Sequence, residues 1–117
     1  MQDFQNYQCV GRFVKDPEVR YGGQSQQAIA SFTLAVNRGK NKQGEDKGAD
    51  FPSFKAFDKT AENIEKMCHK GTKVLIQRSH FHSDSYTDKN GETVYTRDFI
   101  VDDWTIFSEQ SAGGSWK

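Results

Sequence analysis

The segment from Ala49 to Asn63 constrains the fold most, because an aromatic-rich stretch passes directly into an amphipathic pattern. Successive side chains of a strand point to opposite faces. A strand over residues 51–57 would therefore place four side chains on one face: Phe51, Ser53, Lys55 and Phe57. Phe54 and Ala56 would point the other way, into a core. The segment predicts a strand with one buried face and one face that carries two phenylalanines and a lysine.

The residues after this strand predict a helix from about Lys59 to His69. Asp58 is the expected N-cap, and Gly71 is the expected C′ residue. Apolar residues at spacings of three and four form one stripe on the helix: Ala61, Ile64, Met67 and Cys68. The helix is expected to pack this stripe against the sheet.

Four further strands are predicted, at roughly 4–14, Ala28–Arg38, Thr72–Ser83 and Thr93–Phe107. In the first strand, Tyr7, Cys9 and Phe13 share one side. The second strand alternates with the apolar set Ala30, Phe32, Leu34 and Val36 on one face, which is typical of a half-buried strand.

The connections carry turn signals. Asp16-Pro17-Glu18 predicts a turn in which the Asp16 carboxylate bonds its own backbone. The polar, glycine-containing run 39–48 predicts a solvated loop. Asn90-Gly91 predicts a hairpin tip, because both residues tolerate positive φ. The segment 78–85 predicts a local bulge in the fourth strand.

The resulting order is β-β-β-α-β-β, which is the order of the oligonucleotide-binding (OB) fold, a five-stranded Greek-key barrel. Another small barrel with the helix elsewhere is the alternative. We expect an all-β domain with one helix over residues 1–108, followed by a flexible tail over 109–117.

Composition limits the functional class. No apolar run approaches the ~20 residues of a membrane span, and no secretory signal is visible, so we expect no membrane contact. Two cysteines far apart, Cys9 and Cys68, favour a reducing cytoplasm and small buried side chains over a disulfide. Lysine plus arginine equals aspartate plus glutamate at 16 each, which argues against a strong polyanion binder unless the charges are segregated.

The sequence resembles the bacterial and phage single-stranded DNA-binding protein family over Asn6 to Phe107. The motifs that carry the resemblance are Val10-Gly11-Arg12-Phe13, Asp16-Pro17-Glu18-Val19-Arg20-Tyr21, Ala30-Ser31-Phe32-Thr33-Leu34-Ala35-Val36-Asn37-Arg38 and Phe57-Asp58-Lys59-Thr60-Ala61-Glu62-Asn63. The resemblance implies an OB fold that binds single-stranded DNA without strong sequence preference in replication, recombination and repair. It also implies a homotetramer built from dimers, with an antiparallel dimer through the first strand, in the nucleoid-associated cytoplasm.

The resemblance implies the DNA-contacting residues position by position. Phe51 and Phe57 match two stacking aromatics on the third strand, and Tyr86 matches an aromatic in the long hairpin. Arg20, Lys59 and Lys70 match basic positions, and Lys40 stands near a further stacking position. The remaining expected DNA contacts are cations: Arg38, Lys55 and Lys73. Family members typically continue to an acidic, partner-recruiting tip, which is absent from this chain.

Each of these assignments has a structural alternative. Phe51 and Phe57 are core residues if the barrel is closed on both faces. Lys55 is then an ordinary solvated lysine, and Tyr86 packs on its own hairpin. A zinc site from His80, His82 and the pair Cys68-His69 is disfavoured, because no Cys-x-x-Cys partner accompanies them. We expect no metal and no cofactor.

Two classes of function remain. No nucleophile elbow, phosphate-cradling loop or paired metal-ligand motif is present, so we expect a binding protein and not an enzyme. The first reading is a single-stranded DNA-binding protein. The alternative is an OB-fold protein-interaction module, such as a primosome-type accessory subunit with weak DNA affinity.

Overall fold

Seven strands and one helix make up the part of the chain that the computed structural model describes, residues 2–22 and 26–108. The elements are β1 (Cys9–Phe13), β2 (Glu18–Gly22), β3 (Gln27–Asn37), β4 (Ala49–Asp50), β5 (Ser53–Phe57), α1 (Asp58–Met67), β6 (Lys73–Thr87) and β7 (Thr93–Ser108). The predicted class is confirmed, with a single helix between the third and fourth long strands. The predicted tail over 109–117 lies outside the described residues.

Five of these strands form a closed ring. β1 pairs with β6, β6 with β7, β7 with β5 and β5 with β3, and β3 returns to β1. All of these pairs are antiparallel except β5 with β7, which is parallel. β2 and the two-residue β4 are additions to the predicted five strands and pair with β3 outside the ring. Closure of the ring pairs most strand edges, as the predicted barrel requires.

The core is built on the alternation of β3. Ala30, Phe32 and Leu34 are buried, as predicted, and so are Phe54 and Ala56 on β5; Ala28 is buried as well, while the predicted Val36 is only partly buried. Three phenylalanine rings stack through the centre, with Phe13 4.7 Å from Phe32 and Phe32 5.4 Å from Phe54, measured between ring centroids. The apolar face of α1 closes one end of the core.

The helix is confirmed at Asp58–Met67, but both predicted caps are wrong. Phe57 is the N-cap and no side chain caps the helix; Asp58 is the first helical residue and has a φ of 55°. The strand enters the helix with no linker, so Asp58 makes the turn with a left-handed backbone, and its carboxylate accepts a hydrogen bond from Gln27. At the other end Cys68 is the C-cap, and Met67 is exposed instead of buried.

Gly71 lies beyond the helix, in the turn that leads to β6, where its φ is 92°. Its N–H donates to the carbonyl of Phe13 at 2.9 Å. The positive φ therefore serves the junction between β1 and β6, not the helix C-terminus.

The predicted first strand begins later than expected, at Cys9. The residues before it follow β6 mainly through their side chains. The Gln5 side chain accepts the N–H of Phe81 at 2.8 Å, and the Asn6 side chain accepts the N–H of Ser79 at 3.1 Å. Hydrogen bonds from β6 to side-chain amides here replace most of the backbone hydrogen bonds of a strand pair.

Two predicted turns form with different hydrogen bonds. The Asp16 carboxylate accepts the N–H of Lys70 at 2.8 Å and so ties two distant segments, where a bond to its own backbone was expected. At the hairpin tip only Gly91 has a positive φ. The Asp88 carboxylate accepts the N–H groups of Asn90 and Glu92, both at 2.9 Å, and orders a longer loop than a two-residue turn.

β6 and β7 extend past the ring as a two-stranded arm, which we define as residues 82–98. β6 runs to Thr87, four residues beyond the predicted end at Ser83. The predicted bulge is confirmed as register shifts between Ile76 and Ser79. No shift occurs along the arm, so residues paired across it share a face.

Candidate nucleic-acid interface

The outward side chains of β3 form a line across the surface of the ring, which we call the β3 track: Ile29, Ser31, Thr33, Ala35 and Asn37. Ala30, Phe32 and Leu34, which lie between them, are core residues, so the track follows from the alternation. β5 pairs along it, with Thr33 opposite Ser53, Ser31 opposite Lys55 and Ile29 opposite Phe57. The predicted common face of Ser53, Lys55 and Phe57 is therefore the outer face.

A groove of about 720 Å³ lies at the Ala35 end of the track. Its lining includes Arg12, Lys73 and Phe51, whose ring is 61% exposed. Arg12 pairs with Ala35 on one side and with Lys73 on the other, so the two cations belong to one row on the outer face. The groove thus brings an exposed aromatic ring beside two positive charges.

Gly11 forms part of the groove wall where β1 passes β3. A Cβ at this position would lie 3.0 Å from the carbonyl oxygen of Ala35 and 3.0 Å from the Cβ of Leu34. Only glycine allows this close approach without a shift in one of the strands.

The register of pairing with β3 is the same on both sides of Pro52: Asp50 pairs with Val36, and Ser53 pairs with Thr33. The predicted continuous strand over 51–57 is interrupted here, because proline has no N–H for the ladder. The carbonyl of Pro52 still accepts the N–H of Leu34 at 3.2 Å, which holds the segment against β3. Phe51 therefore stays opposite Ala35, on the outer face of the β3 track.

Both cations of this groove contact neighbouring groups, and the lining also includes one carboxylate. The Nζ of Lys73 lies 5.1 Å from the centroid of the Phe107 ring, and Arg12 donates to the carbonyl of Gly71 at 3.0 Å. Asp46 is the carboxylate in the lining. Two cations against one carboxylate leave the groove positive.

The loop between β3 and β4 is held by an ion pair. The Nε and Nη2 atoms of Arg38 lie 3.0 and 2.7 Å from one Asp50 oxygen. The hydrogen bond from Arg38 lowers the pKa of Asp50 and raises the pKa of the guanidinium. Lys40 forms an isolated bridge with Asp46 in the same loop. Arg38 thus braces the loop that leads to Phe51, while Lys40 remains exposed.

The middle of the track is a smaller groove of about 210 Å³. Lys55 lies in it and its Nζ is 3.7 Å from the Asp98 carboxylate. The hydroxyls of Thr33 and Ser53 are 3.4 Å apart on its floor. This part of the surface is polar and nearly neutral.

The far end of the track is the row of Phe57, Ile29 and Arg20, which pair across β5, β3 and β2. Phe57 is half-buried and Arg20 is exposed. Lys59 and Lys70 are exposed as well, but neither lines one of these two grooves. The structure therefore gathers Phe51 with Lys73, and Phe57 with Arg20, at opposite ends of one face.

Tyr86 lies on the arm and is 57% exposed. It pairs with Val94, on the face that also carries His82 and Asp98. That face is continuous with the outer face of β5, because Lys55 pairs with Ile100 of β7.

Comparison with known proteins identifies the family of the chain. The model of the single-strand binding protein family matches residues 4–107. The chain belongs to this family. A single-stranded DNA-binding protein of Clostridium perfringens is 36% identical over 104 residues, covering 89% of this chain and 66% of the relative. One from Enterococcus faecalis is 35% identical over 107 residues, with coverages of 92% and 56%. Another from Staphylococcus aureus is 43% identical over 94 residues, with coverages of 80% and 58%.

Membership of the single-strand binding protein family confirms the OB fold that the strand order and the closed ring indicate. The chain spans between half and two thirds of the length of the first curated relatives that it matches. Within the described ranges, no helix is both long enough and apolar enough to cross a bilayer.

Arg12 is the residue of this groove that the sequence prediction missed as a site residue. The alternation of Tyr7, Cys9 and Phe13 toward the core implies that Arg12 points outward, which is a usable signal. Its proximity to Phe51 depends on the contact between β1 and β3, where the ring closes, and local sequence carries no information on that contact.

The zinc site that the sequence analysis disfavours concerns His80, His82, Cys68 and His69. In residues 2–22 and 26–108, no three histidine, cysteine or acidic side chains are grouped as metal ligands. His80 instead lies 2.8 Å from Asp102. Cys68 is buried, while Cys9 is partly buried, and burial raises the pKa of the Cys9 thiol.

Proposed function

We propose that this chain binds single-stranded DNA without strong sequence preference, by base stacking and phosphate contacts, and protects it during replication, recombination and repair. The observation that carries the proposal is the exposed ring of Phe51 in a groove with Arg12 and Lys73. The curated relatives named single-stranded DNA-binding protein support it.

The chemistry of the groove suits an unpaired nucleotide. A base that stacks on an exposed ring contributes about 1–3 kcal/mol, and every base has a face to stack. The two cations hold phosphates and release counterions, so affinity falls as salt rises. Neither interaction reads base identity, which accounts for the absence of sequence preference.

The β3 track supplies a path for the strand. Phe51 and Phe57 are six positions apart, which corresponds to about 20 Å along a strand. The DNA stacks on Phe51, passes Lys55 in the middle groove and stacks on Phe57 beside Arg20. Lys59 and Tyr86 extend this path, and Lys40 and Lys70 contact phosphates at its margins. Arg38 acts mainly by holding the loop, through its pair with Asp50.

One set of observations favours the alternative, a protein-interaction module with weak DNA affinity. The chain has no net charge, and both Arg38 and Lys55 have carboxylate partners. Such compensation lowers the number of phosphates that the surface can neutralise. The exposed ring of Phe51 is the feature that this reading leaves without a role.

The proposal is one of binding and not of catalysis, and it involves no cofactor. It includes a homo-oligomer, with a tetramer formed from two dimers, in the nucleoid-associated cytoplasm. Among the described residues, β1 pairs with β3 only at Arg12 and Phe13, so the outer edge at Cys9 and Val10 is available to a second copy. Native mass measurement tests the assembly.

The test of function is the binding of fluorescently labelled oligo-dT, followed by anisotropy at low and high salt. A duplex of the same length is the control. We expect tight binding to oligo-dT at low salt, weaker binding at high salt and poor binding to the duplex. If oligo-dT does not bind at low salt, the protein-interaction reading replaces this proposal.

A further inference from the structure

The two faces of the arm differ in chemistry, and the face opposite Tyr86 carries its own exposed tyrosine. Tyr95 pairs with Ser85 and is 63% exposed, whereas Tyr86 pairs with Val94 and is 57% exposed. Because neighbouring positions on a strand alternate, the two tyrosines project in opposite directions. Only Tyr86 was expected to contact DNA.

We define the Tyr95 face by its paired residues: Thr87 with Thr93, Ser85 with Tyr95, Ser83 with Arg97 and Phe81 with Phe99. Its one charged side chain is Arg97. The opposite face carries two carboxylates, Asp84 and Asp98. The Asp98 carboxylate lies 3.7 Å from Lys55 and the Asp84 carboxylate lies 3.8 Å from His82, whereas the paired residues of the Tyr95 face include no carboxylate, so the charge of Arg97 attracts a polyanion there.

Arg97 and Tyr95 act as one unit. The Cζ atom of the guanidinium lies 6.0 Å from the centroid of the Tyr95 ring. This cation–π contact holds the positive charge over one face of the ring and leaves the other face open to a base. An exposed ring beside an arginine is the combination that stacks a base and holds its phosphate.

The same face continues into the core through aromatic contacts. Phe81 is 43% exposed and meets Phe99 edge-on at 5.7 Å. Phe99 stacks on Tyr7 at 4.3 Å. The base of the arm is thereby anchored, so Tyr95 projects from a supported strand pair.

We propose that the Tyr95 face is a second base-stacking site for single-stranded DNA, separate from the β3 track. Tyr95 stacks one base and Arg97 holds the adjoining phosphate. The proposal rests on the proposed function and assigns it an additional surface. A long strand that leaves the β3 track can then pass along the other side of the arm.

The test compares variants in an anisotropy titration with a long oligo-dT. Tyr95→Ala should weaken binding by about 5- to 150-fold, the range that corresponds to one stacked base. Tyr95→Phe keeps the ring and should retain more affinity than Tyr95→Ala. Arg97→Gln should lower the slope of log affinity against log salt by about one phosphate contact. Lys89→Gln, at the hairpin tip, removes an equal charge outside the Tyr95 face and should leave that slope unchanged.

The outcomes separate this inference from the proposed function. If Tyr95→Ala binds like the wild type while Phe51→Ala is weakened, the Tyr95 face is not a DNA site and the β3 track stands. If the wild type does not bind at all, the proposed function itself fails. If Tyr95→Ala reduces the native mass of the assembly, the face is a contact between copies of the chain and the inference is overturned.

A second measurement is independent of folding in the variants. Photocrosslinking of the wild-type protein to oligonucleotides that contain bromodeoxyuridine, followed by peptide mapping, should give an adduct at Tyr95. Adducts at Phe51 and Tyr86 with none at Tyr95 would contradict the proposal.

Discussion

Arg38 and Asp50 are joined by two hydrogen bonds to a single carboxylate oxygen, at 3.0 and 2.7 Å, across the loop that precedes Phe51. The pair links the end of β3 to β4, whose backbones are also paired at Val36 and Asp50. Arg38, which the sequence analysis predicts to contact DNA, thus braces the loop that leads to Phe51.

The pair predicts a pH effect. Because Arg38 lowers the pKa of Asp50 in the folded state, the pair contributes stability above the usual aspartate pKa, and this contribution is lost as pH falls through the depressed value. Carboxyl-carbon NMR should find Asp50 titrating below 3.8, the ordinary value. In Arg38→Gln the pKa of Asp50 should rise toward that value; an unchanged titration would contradict the pair.

Gly11 should not tolerate a side chain. In Gly11→Ala the new Cβ meets backbone and core atoms at 3.0 Å, so one strand must shift. We expect the free energy of unfolding to fall by about 1–3 kcal/mol in denaturant titrations. Gly22→Ala is the matched control, because a Cβ there meets nothing within 4 Å. Equal losses in the two variants would show that the contact between β1 and β3 is not close.

Substitution of Phe54 should lower the stability of the fold, whereas substitution of Phe51 should weaken DNA binding. Phe54 is 1% exposed and contacts the rings of Tyr7, Phe32 and Phe99. Phe54→Ala should lower the free energy of unfolding by about 3–5 kcal/mol. Phe51→Ala should leave thermal unfolding nearly unchanged but weaken oligo-dT binding. A large loss of stability in Phe51→Ala would mean that this ring is part of the core.

The attachment of the segment before β1 to β6 should depend on the Asn6 side chain. Its side chain accepts the N–H of Ser79, a residue that is 1% exposed, so Asn6→Ala leaves that group without its partner. We expect a cost of about 1–3 kcal/mol in unfolding and faster amide exchange at Ser79. The control is Gln8→Ala, which removes an exposed hydrogen bond to Gln77 and should cost less. Slow exchange at Ser79 in Asn6→Ala would contradict this role.

The long elements could be predicted because their patterns are local. Period-two alternation identifies β3 and the buried face of β5, and the spacing of Ala61 and Ile64 identifies the packed face of α1. Their partners in the ring follow from the strand order once the fold class is known.

The parts that escaped prediction depend on contacts between distant segments. Three examples are side chains that accept hydrogen bonds from distant residues. The carboxylate of the left-handed Asp58 accepts one from Gln27, the Asp16 carboxylate accepts the N–H of Lys70, and the Gln5 side chain accepts the N–H of Phe81. The two faces of the arm could not be predicted from alternation in β6 and β7 either. They depend on the register of pairing after the bulge. That register separates Tyr86 from Tyr95.

Base stacking on Phe51 is tested most directly with two ligands, oligo-dT and an abasic oligonucleotide of equal length and charge. Their affinities are compared in the wild type and in Phe51→Ala. Both ligands offer the same phosphates, so the difference in their affinities measures base stacking. We expect the wild type to prefer oligo-dT and this preference to shrink in Phe51→Ala by ~1–3 kcal/mol, the contribution of one stacked base. An undiminished preference in Phe51→Ala would contradict the claim that bases stack on this ring.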